Sequence, residues 1–401
     1  MKRTFLFGSA SSVLLVAGGT GLIAATYGLI RLAFGLFLPD VRRELGLGLA
    51  DAGAISAGAS VVYCLGALGG FLLSSRHARL LVVAATAVAT AGSLGMAASP
   101  GASFFAVCSI ASSAGAGLAS PALVALVGRN VVERSVPRSQ AVVNAGTGPG
   151  LALAGVLALA LLPNWRGAWV VAAAVAVLAG ALVLLADRGP STDGTPGAAL
   201  PPPSWYAGHV RVIAAALLMG FGSAAVWTYA RTVMVDAGAG ETMSIVAWIA
   251  LGIGGSVVIV SSRITDRIAP RLLWAVTSVL IAAASAIIAI GSALPVVVLA
   301  AAVVFGWAYT AGSGALIGWT TSIDGERASA GTALLFVVLI LGQAGGAVVS
   351  GSLAVSSGYP SAFLVAAVVS AAAGVMGVVG RRRAGRSAGS VATHGVDATE
   401  P

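Results

Sequence analysis

Long apolar runs separated by short polar breaks dominate the chain. An apolar run of about 20 residues is long enough to cross a bilayer as a helix. Twelve runs meet that length, at about 11–38, 50–73, 80–98, 102–127, 139–162, 166–186, 210–235, 241–261, 272–292, 296–320, 328–353 and 360–380. Some breaks are only a few residues long. Ser99-Pro100-Gly101 and Ser292-Ala293-Leu294-Pro295 read as tight hairpins between neighbouring spans.

One break differs from the others. Residues 187–209, DRGPSTDGTPGAALPPPSWYAGH, are rich in Pro and Gly and carry no helical period, which predicts a flexible linker. The linker divides the spans into six (1–186) and six (210–380). The tail 381–401 is rich in Arg, Ser and Gly and is expected to be disordered and cytoplasmic. At the other end, Lys2 and Arg3 precede the first run as in a signal peptide. That run continues to Leu38 with no clear small-residue cleavage site, so it reads as an uncleaved first transmembrane helix.

Composition makes lipid the solvent. Of 401 residues, 58% are hydrophobic and 9% charged, and the mean hydropathy is +0.99. Soluble domains carry about 25% charged residues, and this chain has too few to cover a water-facing surface. The formal net charge of +9 would otherwise suggest nucleic acid. Here the basic residues sit in short breaks between spans, where they report topology. Lys2, Arg3, Arg76, Arg79, Arg129, Arg134, Arg138, Arg188, Arg211, Arg263, Arg267, Arg271, Arg327, Arg381, Arg382, Arg383 and Arg386 are 17 of the 22 and fall on one side. The alternate breaks hold only Arg42, Arg43 and Arg166. The positive-inside rule then places both termini in the cytoplasm, with the chain in a cell's inner membrane.

Cys64 and Cys108 lie inside apolar runs and predict neither a disulfide nor a metal site. His77, His209 and His394 share no ligand spacing, so no metal and no cofactor is expected.

The two halves echo one another. Residues 24–31 read AATYGLIR and residues 224–231 read AAVWTYAR. Each has Ala-Ala, an aromatic, and an arginine four residues after the aromatic. GRNVVERSVPRSQAVVNAG (128–146) loosely parallels GWTTSIDGERASAG (318–331), and WRGAW (165–169) parallels YPSAF (359–363). Duplicated six-helix halves are a mark of several secondary transporters.

Charge inside the spans carries the chemistry. Read with these boundaries, every one of the 13 acidic residues falls in a loop, at a helix end or in the tail. Arg31 and Arg231, however, fall within spans, Arg31 about 10 Å from the end at Leu38 by helical rise. An arginine at the bilayer centre costs about 2.5–3.5 kcal/mol on insertion scales, and no acidic residue is expected at its depth. An anionic ligand is the natural partner, and a guanidinium fork fits a carboxylate or oxyanion. Tyr27 and Trp227 precede the arginines by four residues, one helical face apart, and offer cation–π support. The first and seventh spans would face each other with both arginines on one small anion. The bland reading is that both arginines reach to the interface, with Arg231 pairing Asp236 and Arg31 reaching Asp40 or Glu44 only with difficulty. Tyr63, Tyr309, Asn144 and Gln343 are further candidate cavity residues, against the alternative of aromatic belt or helix glue.

The break after the eighth span, SRITDRIAPR (262–271), resembles the Gly-x-Leu-x-Asp-Arg-x-Gly-x-Arg loop signature of the major facilitator superfamily. Asp266, Arg267 and Arg271 occupy its charged positions, and Ser262 and Ala269 replace its glycines. The corresponding break after the second span, GFLLSSRHAR (70–79), keeps Gly70 and Arg79 but has Ser74 in place of the acid. Such loops read as a charge latch that biases which side is open. The segment 144–150, NAGTGPG, partly resembles the Gly-Pro motif of antiporter branches. The fourth span, SIASSAGAG (109–117), lacks the arginine of proton-linked drug exporters. YGLIRLAFGLFLPD (27–40) resembles the first helix of a cyanate-permease-like group.

The resemblance implies an all-α membrane protein with twelve transmembrane helices in two pseudo-symmetric halves. The expected activity is secondary transport of a small anionic organic solute by alternating access, by a monomer, with protons as a candidate partner. Export of amphipathic compounds from an aromatic cavity is the alternative. A membrane enzyme or sensor is disfavoured, because a carboxylate, histidine or metal constellation is missing from the spans.

Overall fold

A computed structural model describes residues 10–188, 201–265, 267–290 and 294–378. Among them eleven helices are long and apolar enough to cross a membrane. They are α1 (Ala10–Leu45), α2 (Leu49–Ala97), α3 (Ala102–Asn130), α4 (Glu133–Leu161), α5 (Trp165–Ala186) and α6 (Pro203–Asp236). They continue with α7 (Glu241–Thr265), α8 (Pro270–Ile290), α9 (Pro295–Ile323), α10 (Ala328–Ser356) and α11 (Gly358–Val378).

Local chemistry explains the ends. Prolines open α6, α8 and α9, where a missing N–H costs nothing. The Asp51 carboxylate accepts the Gly48 N–H at the start of α2 (3.1 Å). Gly46 and Gly238 turn the chain with φ of 69° and 84°, a conformation that disfavours a side chain, just beyond α1 and α6.

α2 is the exception to one helix per crossing. Its 49 residues would extend about 74 Å if straight, more than twice a hydrocarbon core. His77 breaks it (φ −125°, ψ 28°). A Cβ on Gly66 would lie 2.8 Å from the Ala114 carbonyl, and a Cβ on the next α3 residue, Gly115, would lie 2.8 Å from the Ala85 carbonyl. Residues 66 and 85 would be about 28 Å apart on a straight helix. Both meet the same turn of α3, so α2 folds back on itself near His77.

The helices form two groups. α1 to α5 pack together, and α6 packs with α10 and α11 while α8 packs with α9 and α11. The groups meet where α1 lies on α6, α2 on α10, and α4 on α7. Small residues let the backbones close in. A Cβ on Gly28 of α1 would stand 2.6 Å from the Gly150 Cα of α4. The outside is apolar and the polar groups are inside: Leu178, Val260 and Val368 are 70–80% exposed, whereas Arg231 is 1% exposed. That inversion suits a lipid surround.

Two boundaries move. Residues 203–209, read as linker, are the first turns of α6, with Trp205 and His209 buried and their rings stacked at 3.6 Å. Residues 189–200 of that linker and the tail 381–401 lie outside the described residues. α1 does not stop at Leu38; it runs through Pro39 to Leu45.

Candidate functional site

The site is built on an irregularity of α1. Over Ala24–Leu32 the helix widens to a π-helical stretch, a feature that recurs at functional positions. Arg31 projects from it. One terminal nitrogen donates to Ser60 Oγ of α2 (3.2 Å) and to Gln343 Oε1 of α10 (3.1 Å). The guanidinium carbon sits 5.0 Å from the centre of the Tyr63 ring, within cation–π range. The Tyr63 hydroxyl is hydrogen-bonded to that of Tyr27, and the two rings meet edge to face at 5.5 Å.

Gln343 links this cluster to the second group of helices. Its amide accepts from Arg31 and donates to the Tyr309 hydroxyl (2.9 Å). Tyr309 packs edge-on to Trp227 (5.1 Å). Between them lies a cavity of about 40 Å³, lined by Arg31, Phe34, Ile55, Ser60, Trp227 and Gln343 among others. Arg31 Nε and Trp227 Nε1 are buried without a hydrogen-bond partner. No ion pair among the described residues involves Arg31. The structure thus brings together Arg31, Tyr27, Tyr63, Tyr309, Gln343 and Trp227.

Arg231 is elsewhere, and its surroundings differ from the sequence expectation. It is ion-paired with Asp40 of α1, donates to the Leu36 carbonyl (2.5 Å) and, through Nε, to Ser244 Oγ of α7 (3.2 Å). Its side chain is 0% exposed and that of Asp40 is 4% exposed. A carboxylate is therefore available to this arginine. It comes from the opposite group of helices and not from Asp236, which pairs with Arg42 (3.8 Å). Arg43 and Glu241 make a further pair between the groups at 3.2 Å. The depth also differs. Arg231 lies level with Leu36 and Asp40, five to nine residues beyond Arg31, so about 7–14 Å farther along α1. The two arginines do not flank one space. Trp227 lies against Tyr309, Trp248 and Phe305 rather than over a guanidinium.

Asn144 is exposed at the end of the Val136–Asn144 helix, away from the cluster. The 144–150 segment acts through its backbone, since the chain leaves helical bonding at Ala145-Gly146 and Gly150 abuts α1.

Of the loop residues, Asp266 lies outside the described residues. Arg271 stands over the Trp319 ring (5.4 Å), and Gly70 leaves room for Pro121 of α3, whose Cγ would be 2.5 Å from an added Cβ. Arg79 pairs with Asp187, just past α5, at 2.8 Å; Arg129 pairs with the same carboxylate, and Asn130 donates to it at 2.7 Å. Burial pushes the Asp187 carboxyl up, but the hydrogen bonds from Arg129, Asn130 and Arg79 outweigh it and hold it below the usual carboxylate range. Sequence reasoning missed Asp187 because it opens the predicted linker. Ending the first span at Leu38 left Asp40 at a loop edge rather than in a contact between spans.

No curated protein sequence matches the chain. Solved structures do. The nucleoside transporter NupG superposes with a TM-score of 0.73 at 13% identity, over 92% of this chain and 98% of NupG. A bacterial homolog of the human lysosomal transporter Spinster, in an inward-facing unoccupied conformation, gives 0.69 at 13% identity over 92% of this chain and 95% of that one. A D-xylose-proton symporter gives 0.69 at 13% identity over 91% of this chain and 96% of that one. At such identities the likeness is one of fold. The sequence profile of the Major Facilitator Superfamily matches residues 20–337, most of the chain. The chain belongs to the major facilitator superfamily and is a multi-pass membrane transporter rather than an enzyme.

Proposed function

We propose that the protein moves a small anionic organic solute across a cell's inner membrane by alternating access around Arg31. The observation that carries this reading is a guanidinium in the cavity between the two helix groups, held only by neutral partners. A buried cation without a counter-charge is unfavourable, and an anionic solute supplies the missing charge. Ser60 and Tyr63 hold Arg31 from one group of helices and Gln343 holds it from the other. A ligand at this point would touch both groups and favour their closure around it.

The reading takes α2 as two crossings joined at His77, making twelve, with residues 1–186 and 203–380 as the two halves. Loop charge then places both termini in the cytoplasm and the Asp40–Arg231 pair toward the outside. The protein acts as a monomer. The xylose symporter among its fold relatives couples transport to protons, which makes protons the first coupling ion to test here.

The direct test is uptake or exchange of organic anions by proteoliposomes holding the wild type or the Arg31→Gln variant. Saturable anion transport lost in the variant supports the reading. Undiminished anion transport by Arg31→Gln would overturn it. The aromatic wall of Trp227, Trp248 and Tyr309 favours a second reading, export of amphipathic compounds. Drug susceptibility of a deletion strain decides between the two.

A further inference from the structure

The cavity at Arg31 offers one charge, little space and a largely apolar wall. Those three properties together narrow the anion proposed above. The charge count is one. Arg231, the other arginine inside the spans, is neutralised by Asp40 and lies 7–14 Å away along α1. Arg31 has no carboxylate within ion-pair distance among the described residues. One uncompensated cation matches one negative charge. A second carboxylate on the same solute would be desolvated with no cation to meet it.

The charge sits at one side. Arg31, Ser60 and Gln343 gather there, and Arg31 Nε keeps a free, buried donor. The remaining wall includes Phe34, Ile55, Ala59, Ala224, Trp227 and Ala347, apolar but for the Ser56, Ser109 and Thr228 hydroxyls. Thr228 and Ser56 already bond each other at 3.1 Å. An uncharged hydrocarbon tail suits that wall, and a polyhydroxylated body would leave most of its hydroxyls unpaired. The space is small. It measures about 40 Å³, room for only a few water-sized groups, so the solute's chain must be short and the helix groups must part slightly to admit it.

Resting on the anion reading, we propose that the solute is a short-chain aliphatic monocarboxylate. Its carboxylate meets the Arg31 guanidinium and its tail lies between Phe34, Ile55 and Trp227.

The test uses the purified full-length protein and follows the shift of its thermal midpoint with added solute, since a bound ligand raises stability by mass action. The probes are butyrate, its uncharged isostere butyramide, the dicarboxylate succinate and the bulkier monoanion benzoate. The expected order is butyrate first, with half-maximal concentrations for the other three at least about tenfold higher. Arg31→Gln should lose the butyrate response while keeping a cooperative transition. Because the order among probes is read on the wild type, the test stands even if that variant folds poorly. Succinate or benzoate acting as well as butyrate, through Arg31, would overturn the short monovalent class and leave the anion reading intact. Butyramide equal to butyrate, or no response to any monocarboxylate from acetate to hexanoate, overturns the proposal. Stabilisation by a neutral sugar or nucleoside, kept in Arg31→Gln, removes both readings.

Discussion

Replacing Asp40 by Asn removes a charge without removing bulk, and it strands Arg231 where its side chain is 0% exposed. Breaking a buried ion pair by deleting one partner costs about 3–5 kcal/mol. The Leu36 carbonyl and the Ser244 hydroxyl still contact the guanidinium, so the lower end applies, about 3 kcal/mol. The cost falls only on the state in which α1 and α6 touch at this level. In a state with this end open, water solvates Arg231. At 1.4 kcal/mol per decade, the balance between the two states shifts by a factor on the order of 100 toward opening at the Asp40 end. Ser56 reports it. This serine lines the cavity and accepts from Thr228 across the two helix groups. With Cys64 and Cys108 replaced by Ala, a Ser56→Cys reporter should react with an impermeant thiol reagent at least about tenfold faster from the Asp40 side in Asp40→Asn. Removing both charges, as Asp40→Asn with Arg231→Met, should recover part of the loss, with a coupling of about 1–3 kcal/mol. Unchanged labelling together with strictly additive losses would refute the idea that this pair locks the closed end.

Three further outcomes follow from the geometry. Asp187 has a folded pKa held below its unfolded value, so its contribution is full above the ordinary carboxylate value near 3.9 and is lost as pH falls below it toward the depressed folded value; the thermal-midpoint gap between wild type and Asp187→Asn should hold from about pH 7 to 5 and narrow below about pH 4, and a gap that stays constant down to about pH 2 would contradict this. Gly28→Ala places a methyl 2.6 Å from the Gly150 Cα, backbone that cannot rotate away; a loss of about 1–3 kcal/mol is expected from overpacking, read as a lower thermal midpoint. Tyr63→Leu removes the ring beneath Arg31 and should weaken binding of an anionic ligand about 2- to 30-fold, from 0.5–2 kcal/mol of cation–π energy, whereas Tyr63→Phe keeps the ring and should stay close to wild type in half-saturating concentration.

Much of the architecture was legible because lipid imposes a simple rule. Every backbone polar group in the hydrocarbon must be paired within its own segment, so run length alone marks the helices. Arg31, Tyr27, Tyr63, Tyr309 and Gln343 were legible for a related reason, since polar side chains inside such runs need partners and find one another. Asp40 was not. Pro39 removes one helical hydrogen bond and reads as a terminus in water, but membrane helices tolerate proline. α1 continues through it and carries Asp40 into the contact with α6. Asp187 was hidden by its neighbours, because a carboxylate that begins a Pro/Gly-rich segment looks solvated. In the structure three donors converge on it, Arg79 from just past the His77 break in α2 and Arg129 and Asn130 from the end of α3.

The repeat itself misled in an instructive way. AATYGLIR and AAVWTYAR share a spacing of four between aromatic and arginine, and on two α-helices that spacing would make equivalent sites. The backbones differ, however. Residues 224–231 lie within α-helix α6, whereas 24–32 form the π-helical stretch of α1. Its i to i+5 bonding widens the turn, so side chains four apart no longer stack as they do in an α-helix. Arg31 settles over Tyr63 of α2, whose hydroxyl is bonded to that of Tyr27, and faces the cavity. Arg231, on a regular helix, meets Asp40 instead. The two segments therefore meet different partners: Arg31 is held by neutral groups, and Arg231 is locked to a carboxylate.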